Sequence, residues 1–231
     1  MKISGLQKLT LLDYPGKMAA IIFIAGCNFL CPFCHNSDLV VAPKDSPEIS
    51  QEEIFSFLNK RKGILDGIVI SGGEPLLYEE TIDLIKRIKD LGYSVKLDTN
   101  GSFPERLKEV IDKGLVDYVA MDIKNCKEKY AKTIGKESFD ISKIERSVEI
   151  LKNGKVPYEF RTTIVRELHT PQDIVDIGKW INGTKNYFLQ PYRDSESVIM
   201  KGFSAPKKDE LEAIKAEIKP FAENVEIRGI D

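Results

Sequence analysis

The chain has 231 residues, 34 lysines and arginines against 36 aspartates and glutamates, and a net charge of -2, so no bulk field draws it to nucleic acid or an anionic membrane. Its length can bury one substantial core and no linker divides it, so residues 1–231 are expected to form a single domain. No apolar run is long enough to span a bilayer, and Met1 to Leu12 lacks a signal peptide's layout, which predicts a cytoplasmic protein with reduced thiols.

In chain order, the apolar run Ala19 to Ala25 reads as a buried strand. Ser50, with Glu53 three residues on, marks a helix start, and Gly67 to Ile70 reads as the next strand. Ile82, Ile85, Ile88 and Leu91 then form the apolar face of a helix that Gly92 can end in a left-handed cap. Strands are expected at Ser94 to Leu97 and Val116 to Ile123, and a helix after Ser102 with Glu105. A helix after Ser142 with Glu145 precedes the strand Tyr158 to Val165; Thr170-Pro171 opens another before the strand Asn186 to Leu189. A last helix, Lys207 to Phe221, precedes a short apolar stretch, Val225 to Ile230.

Six strand-helix units predict an α/β fold with a parallel sheet. Polar and glycine-rich groups follow nearly every strand, where both barrels and open sheets place their sites. A partial (β/α)6 TIM-like barrel, open on one side, lets those groups meet in one cavity.

Cys27, Cys31 and Cys34 fall within eight residues in CxxxCxxC spacing and supply three thiolates to a soft metal. A structural zinc site normally closes its tetrahedron with a fourth ligand, and none stands at the usual spacing, since His35 adjoins Cys34. The triplet fits a four-iron cluster with one iron open, with zinc as the plainer alternative. Cys126, remote and isolated, reads as a packing residue or an ordinary thiol, and His169 as a loop residue. Gly72 and Gly73, after the second strand, let backbone approach a ligand where a Cβ would obstruct it. Asp98 with Asp122 at the strand ends is a candidate site for a monovalent cation.

The triplet within Gly26-Cys27-Asn28-Phe29-Leu30-Cys31-Pro32-Phe33-Cys34-His35-Asn36, followed by Gly72-Gly73-Glu74-Pro75, resembles the radical S-adenosylmethionine superfamily. Leu12-Asp13-Tyr14-Pro15-Gly16, Thr99-Asn100-Gly101, Met121-Asp122-Ile123-Lys124 and Gln190-Pro191-Tyr192 add a likeness to the glycyl-radical-enzyme activases, most of all the long-form activating proteins of anaerobic ribonucleoside-triphosphate reductase. The resemblance implies one 4Fe-4S cluster on Cys27, Cys31 and Cys34, with S-adenosylmethionine on the open iron. It implies reductive cleavage to a 5'-deoxyadenosyl radical, and transfer of the radical to a glycine of the partner reductase. An external one-electron reductant such as a flavodoxin or ferredoxin is implied too, and no nucleic acid or membrane partner.

Carried over by position, Gly72, Gly73 and Glu74 would serve the methionine end of the ligand, and Phe33 and His35 would lie against its adenosine. Asp122 and Lys124 would hold ribose or carboxylate. Arg193 stands where activases of the pyruvate formate-lyase kind can carry histidine, and could bind the ligand's carboxylate or serve the partner. The alternatives are an activase of another glycyl radical enzyme of the pyruvate formate-lyase type, a small-molecule radical enzyme with the same cofactors, and a zinc-stabilised binding module.

Overall fold

The computed structural model describes residues 1–41 and 47–229. Strands β1 (Ile3–Thr10), β2 (Ala19–Ile24), β3 (Gly67–Gly72), β4 (Ser94–Thr99), β5 (Tyr118–Asp122), β6 (Tyr158–Ile164), β7 (Thr184–Pro191) and β8 (Ala222–Ile227) form one eight-stranded sheet in that order. β2 to β8 run parallel, and β1 lies antiparallel on the edge of β2. The order is that of a barrel wound in one direction, and among the described residues β1 and β8 do not pair, so the sheet stays open. The six predicted strands are all present; β1 is an addition to them. Val225 to Ile227 of the predicted apolar stretch end the parallel strand β8, while Ile230 lies outside the described residues.

Six longer helices, α1 (Gln51–Lys60), α2 (Glu80–Asp90), α3 (Pro104–Asp112), α4 (Ser142–Asn153), α5 (Pro171–Trp180) and α6 (Lys208–Ile218), follow the successive parallel strands. Each buries an apolar stripe: Ile54 and Leu58 of α1, Leu107 and Val110 of α3, Ile144, Val148 and Leu151 of α4 join the outward-pointing Ile22, Ile70, Val95 and Leu97 of the sheet in one core. On α2 the buried positions are Thr81, Leu84, Ile85 and Ile88, so the face is rotated from the predicted one, and Ile82 and Leu91 are only half-buried. Ser50 caps α1 by accepting the Glu53 N–H at 3.1 Å, as expected. Ser102 does not cap α3; Phe103 precedes that helix and the Ser102 hydroxyl bonds Asn100 instead. Ser142 is the first residue of α4, and Asp140 accepts its N–H at 3.2 Å.

At α5 the cap is reciprocal. Thr170 Oγ1 accepts the Asp173 N–H at 3.3 Å, and Asp173 Oδ2 accepts the Thr170 N–H at 2.7 Å. Thr170→Ala is expected to lower stability by about 1 kcal/mol, read as a shift of the urea midpoint at unchanged slope.

The inner face of the sheet differs from the outer. At its floor Tyr14, from the loop joining β1 to β2, packs against Ala19, Ile21 and Val69 and lies 6.2 Å from the Tyr118 ring. Tyr14 is what the Leu12-Asp13-Tyr14-Pro15-Gly16 motif contributes here: a plug at the end opposite the cysteines. Gly67 makes room for it, since a Cβ there would sit 2.8 Å from Tyr14 Cε1. Above the plug the inner face turns polar, with Lys96, Asp98, Asp122, Glu159 and Arg161, and there the site begins. No helix among the described residues is long and apolar enough to cross a membrane.

Candidate functional site

A cavity of about 270 Å³ opens at the carboxyl ends of β2 to β7. Parallel strands all deliver their following loops to this end, so residues far apart in sequence meet there. Cys27, Cys31 and Cys34 line it, together with Phe33, His35, Gly72, Gly73, Asp122 and Lys124. Of the predicted set, Glu74 and Arg193 do not line it.

The cysteine loop is clasped from several sides. Leu30 N–H donates to the Ile134 carbonyl at 2.9 Å, Met200 N–H to the Pro32 carbonyl at 2.9 Å and Ile199 N–H to the Cys34 carbonyl at 3.3 Å. His35 stacks on Tyr192 with centroids 5.3 Å apart, and its Nε2 meets the Arg193 carbonyl. The loop's position is thus set by segments beyond β5 and β7, not by the cysteine spacing alone.

Gly72 and Gly73 press against the same loop. Gly72 has φ of +132°, and a Cβ on it would stand 2.1 Å from the Ile24 carbonyl oxygen; a Cβ on Gly73 would stand 2.1 Å from that of Gly26. The Gly73 and Glu74 amides donate to the Ile24 and Gly26 carbonyls, each at 2.9 Å. With those N–H groups engaged, the turn has carbonyl oxygens left to offer, and these accept from an ammonium.

Glu74 is fully buried and ties three loops together. Its Oε1 accepts from Leu76 N–H and from the Thr99 hydroxyl, both at 2.9 Å, and its Oε2 from Asn100 N–H at 2.6 Å. Asn100 in turn reaches Asn28 Oδ1 at 3.0 Å and lies 3.8 Å from Cys27 Sγ. Glu74 therefore shapes the cavity from behind, through the backbone it holds. Burial pushes its carboxyl up to about 7, against the pull of the three donors.

A carboxyl with a raised pKa in the folded state holds its proton longer there than in the unfolded chain. Its contribution to stability is full below the ordinary carboxylate pKa and is lost as pH rises toward 7, by about 3 kcal/mol. Urea unfolding at pH 5 and pH 8 is expected to show that loss in the wild type and not in Glu74→Gln; equal losses in the two proteins would refute the assignment.

The ionic side of the cavity runs across three strands. Arg161 Nε donates to Asp122 Oδ1 at 2.9 Å and its Nη1 lies 3.5 Å from Asp98 Oδ2; Lys124 Nζ donates to Asp122 Oδ2 at 2.9 Å. Burial opposes the charge on Asp122, yet Arg161 and Lys124 outweigh it and hold the carboxyl below its usual range. Burial likewise opposes the Lys124 ammonium, and the Asp122 carboxylate more than restores it. The position between Asp98 and Asp122, marked in the sequence for a monovalent cation, holds the Arg161 guanidinium. His169, read as a loop residue, is buried, with Nε2 donating to the Lys124 carbonyl at 2.8 Å, so it steadies this strand end.

Arg193 lines a neighbouring recess with Pro191, Ser195, Arg228 and Gly229, which shares His35, Thr163 and Gln190 with the main cavity. Its Nη2 donates to the Gly229 carbonyl at 2.6 Å. Cys126 is buried elsewhere, with Sγ 3.4 Å from Asp173 Oδ1. Sequence reading assigned no role to Arg161, Thr163 or Lys96; a charged residue inside a strand reads as solvent-facing until the barrel's curvature turns that face inward.

The donor set suits an iron-sulfur cluster. All three cysteines are free thiols on one wall, and no three His, Cys, Asp or Glu side chains among the described residues converge on a single ion. Burial pushes the Cys27 thiol up to about 11 and Cys31 to about 12, so metal binding must displace their protons.

The sequence profile of the Radical SAM superfamily matches residues 21–181. The chain belongs to the radical SAM superfamily. A candidate glycyl-radical enzyme activating enzyme of Methanocaldococcus jannaschii is 36% identical over 235 residues, which cover 99% of this chain and 96% of that one. The pyruvate formate-lyase-activating enzyme of Clostridium pasteurianum is 32% identical over 203 residues, covering 83% and 82%. Among solved structures, Streptococcus suis SuiB bound to S-adenosylmethionine shares the fold with a TM-score of 0.67 at 12% identity, covering 90% of this chain and 52% of SuiB. The chain is thus a radical SAM enzyme of the glycyl-radical-enzyme-activating kind, and a 4Fe-4S cluster and S-adenosylmethionine are the cofactors of that family. That membership sets aside the zinc-stabilised module.

Proposed function

We propose that this radical SAM enzyme forms a glycyl radical on an anaerobic ribonucleoside-triphosphate reductase, as a single domain working in the cytoplasm. The observation that carries the chemistry is the cavity itself, where three cysteines and the Gly72-Gly73 turn packed against their loop line the mouth of an open barrel. When bound, the cluster supplies the electron that splits a carbon-sulfur bond of S-adenosylmethionine into methionine and a 5'-deoxyadenosyl radical.

The chain's own residues bind and orient. Cys27, Cys31 and Cys34 hold the cluster, and the Gly72-Gly73 carbonyls receive the ligand's ammonium. Arg161 and Lys124 offer guanidinium and ammonium donors to its carboxylate, with Asp122 fixing both. Phe33 and His35 provide flat surfaces for adenine, and Asp122 an acceptor for ribose. The open side between β1 and β8 would admit a partner backbone segment, and Arg193, in the recess next to the cofactor cavity, would meet it. A flavodoxin or ferredoxin is the kind of reductant the cluster requires.

The reductase is favoured by the motif likeness across Leu12–Gly16, Met121–Lys124 and Gln190–Tyr192. A second reading, activation of a pyruvate formate-lyase, is supported by the relative from Clostridium pasteurianum. Reduced, reconstituted protein mixed with S-adenosylmethionine and each partner decides between them. A glycine-centred doublet in electron paramagnetic resonance is expected with the reductase; a doublet with the lyase alone would overturn the first reading.

A further inference from the structure

Lys96 is a lysine only 1% exposed, on the inner face of β4. Its strand neighbours are Val69 on β3 and Tyr118 on β5, so its stem runs through the apolar floor and its ammonium emerges below the cavity. Placing a cation there is costly unless it is paired. The pairing is present: Lys96 Nζ bonds Asp98 Oδ1, two residues on and on the same face. Asp98 Oδ2 accepts the Ser71 hydroxyl at 3.3 Å and faces Arg161 Nη1 at 3.5 Å. From Arg161 the contacts pass to Asp122 and then to Lys124, so charges alternate across the inner wall from floor to cysteine loop.

The sequence of signs has a consequence. The lining itself holds two carboxylates, Asp98 and Asp122, against two cations, Arg161 and Lys124, and Lys96 adds a third cation from beneath. The buried acid of the floor, Glu159, lies within the field of Arg161 but takes its hydrogen bonds from elsewhere. Arg228 grips it with two bonds of 2.7 and 2.9 Å, and the Tyr118 hydroxyl donates to it at 2.9 Å. Lys96 thus shares the demand of Asp98 with Arg161, so that Arg161 and Lys124, both bonded to Asp122, keep donor capacity for an anionic group above them. An ammonium has the charge and the oxygen preference of a monovalent metal ion and here arrives tethered to the chain.

We propose that Lys96 is a built-in counter-cation of the cofactor cavity, standing beside Asp98 where a monovalent metal ion would otherwise be required, so that S-adenosylmethionine binds without any added metal cation. Lys96 is a positioning residue: it acts on the ligand through Asp98 and Arg161. The inference rests on this cavity being the S-adenosylmethionine site. Lys96→Met keeps an unbranched apolar stem one atom shorter and removes the ammonium, exposing Asp98 Oδ1 to an ion entering from the cavity.

The test compares wild type and Lys96→Met in potassium chloride and in choline chloride at equal ionic strength. It reads equilibrium S-adenosylmethionine binding to the reconstituted protein and melting of the metal-free protein. For the wild type, affinity is expected to change less than about twofold between salts and melting not at all. Lys96→Met is expected to bind about tenfold more weakly in choline, to recover at least about fivefold in potassium, and to melt higher in potassium. A wild-type affinity that depends about fivefold or more on potassium overturns the proposal, and this arm stands even if the variant does not fold. Wild-type-like binding by Lys96→Met in choline, or equal weakness in both salts, overturns it too. Failure of the wild type to bind S-adenosylmethionine in either salt would sink the assignment of the cavity instead, while a potassium-dependent melt of the metal-free variant would still report on the site beside Asp98.

Discussion

Alanine in place of any one of Cys27, Cys31 or Cys34 is expected to abolish the cluster's visible absorbance after iron and sulfide reconstitution, with S-adenosylmethionine cleavage falling by about 100-fold or more. Each is one of three thiolates on the same wall, and no other cysteine is at hand to replace it. Cys126 provides the control. Its Sγ lies against Asp173 at the start of α5, and Cys126→Ala is expected to keep both absorbance and cleavage. Equal loss in all four variants would contradict a three-thiolate site. Iron content per chain separates ligand loss from unfolding when it is read beside the far-ultraviolet spectrum.

Arg161→Met is expected to remove about 2–3 kcal/mol of stability, because it takes from the half-buried Asp98 and Asp122 the cation they share and leaves each with one lysine, Lys96 and Lys124. Arg161 is 15% exposed in its side chain, Asp98 is as sheltered, and Asp122 is 29% exposed, so water can repay little of the lost pairing. The double variant Arg161→Met with Asp122→Asn is expected to recover part of the loss, since it removes the charge that Arg161 neutralised and keeps Asp98 for Lys96. Urea unfolding measures both. A cost below about 1 kcal/mol for the single variant would mean that the pair behaves as an exposed surface bridge. Ligand binding adds a second readout: on the proposed arrangement, loss of the guanidinium is expected to weaken S-adenosylmethionine binding.

Much of the fold is legible in the residues because burial on both faces demands continuous apolar strands, and Ala19 to Ala25 or Gly67 to Ile70 have no other comfortable state. The helix caps at Ser50 and Thr170 are legible for a similar reason, as a hydroxyl before an amphipathic run satisfies orphan N–H groups locally. Ser102 shows the limit of that signal. Its spacing to Glu105 is correct, yet Asn100 competes for the hydroxyl because the Glu74 carboxylate holds that loop against the cysteine loop. Local chemistry permits a cap there, and a residue 26 positions away decides against it.

The same division runs through the site. Cys27, Cys31, Cys34 and the Gly72-Gly73 turn announce themselves in sequence, since metal ligation and close backbone approach both restrict residue type at short range. Glu74 is visible in sequence too, but not that it faces away from the cavity and holds two other loops. Lys96 and Arg161 carry no such mark. Each sits in a strand whose polar face, in a flat sheet, would meet water. Curling the sheet from β1 to β8 turns that face into the interior, where Asp98 and Asp122 become the partners a buried cation needs. Most of the strands and helices, and the clustering of the three thiols, follow from residues a few positions apart, because periodicity, caps and close spacing are local. Only the tertiary structure decided which charges meet, because pairing across β4, β5 and β6 is set by curvature and register, and no span of sequence carries either one.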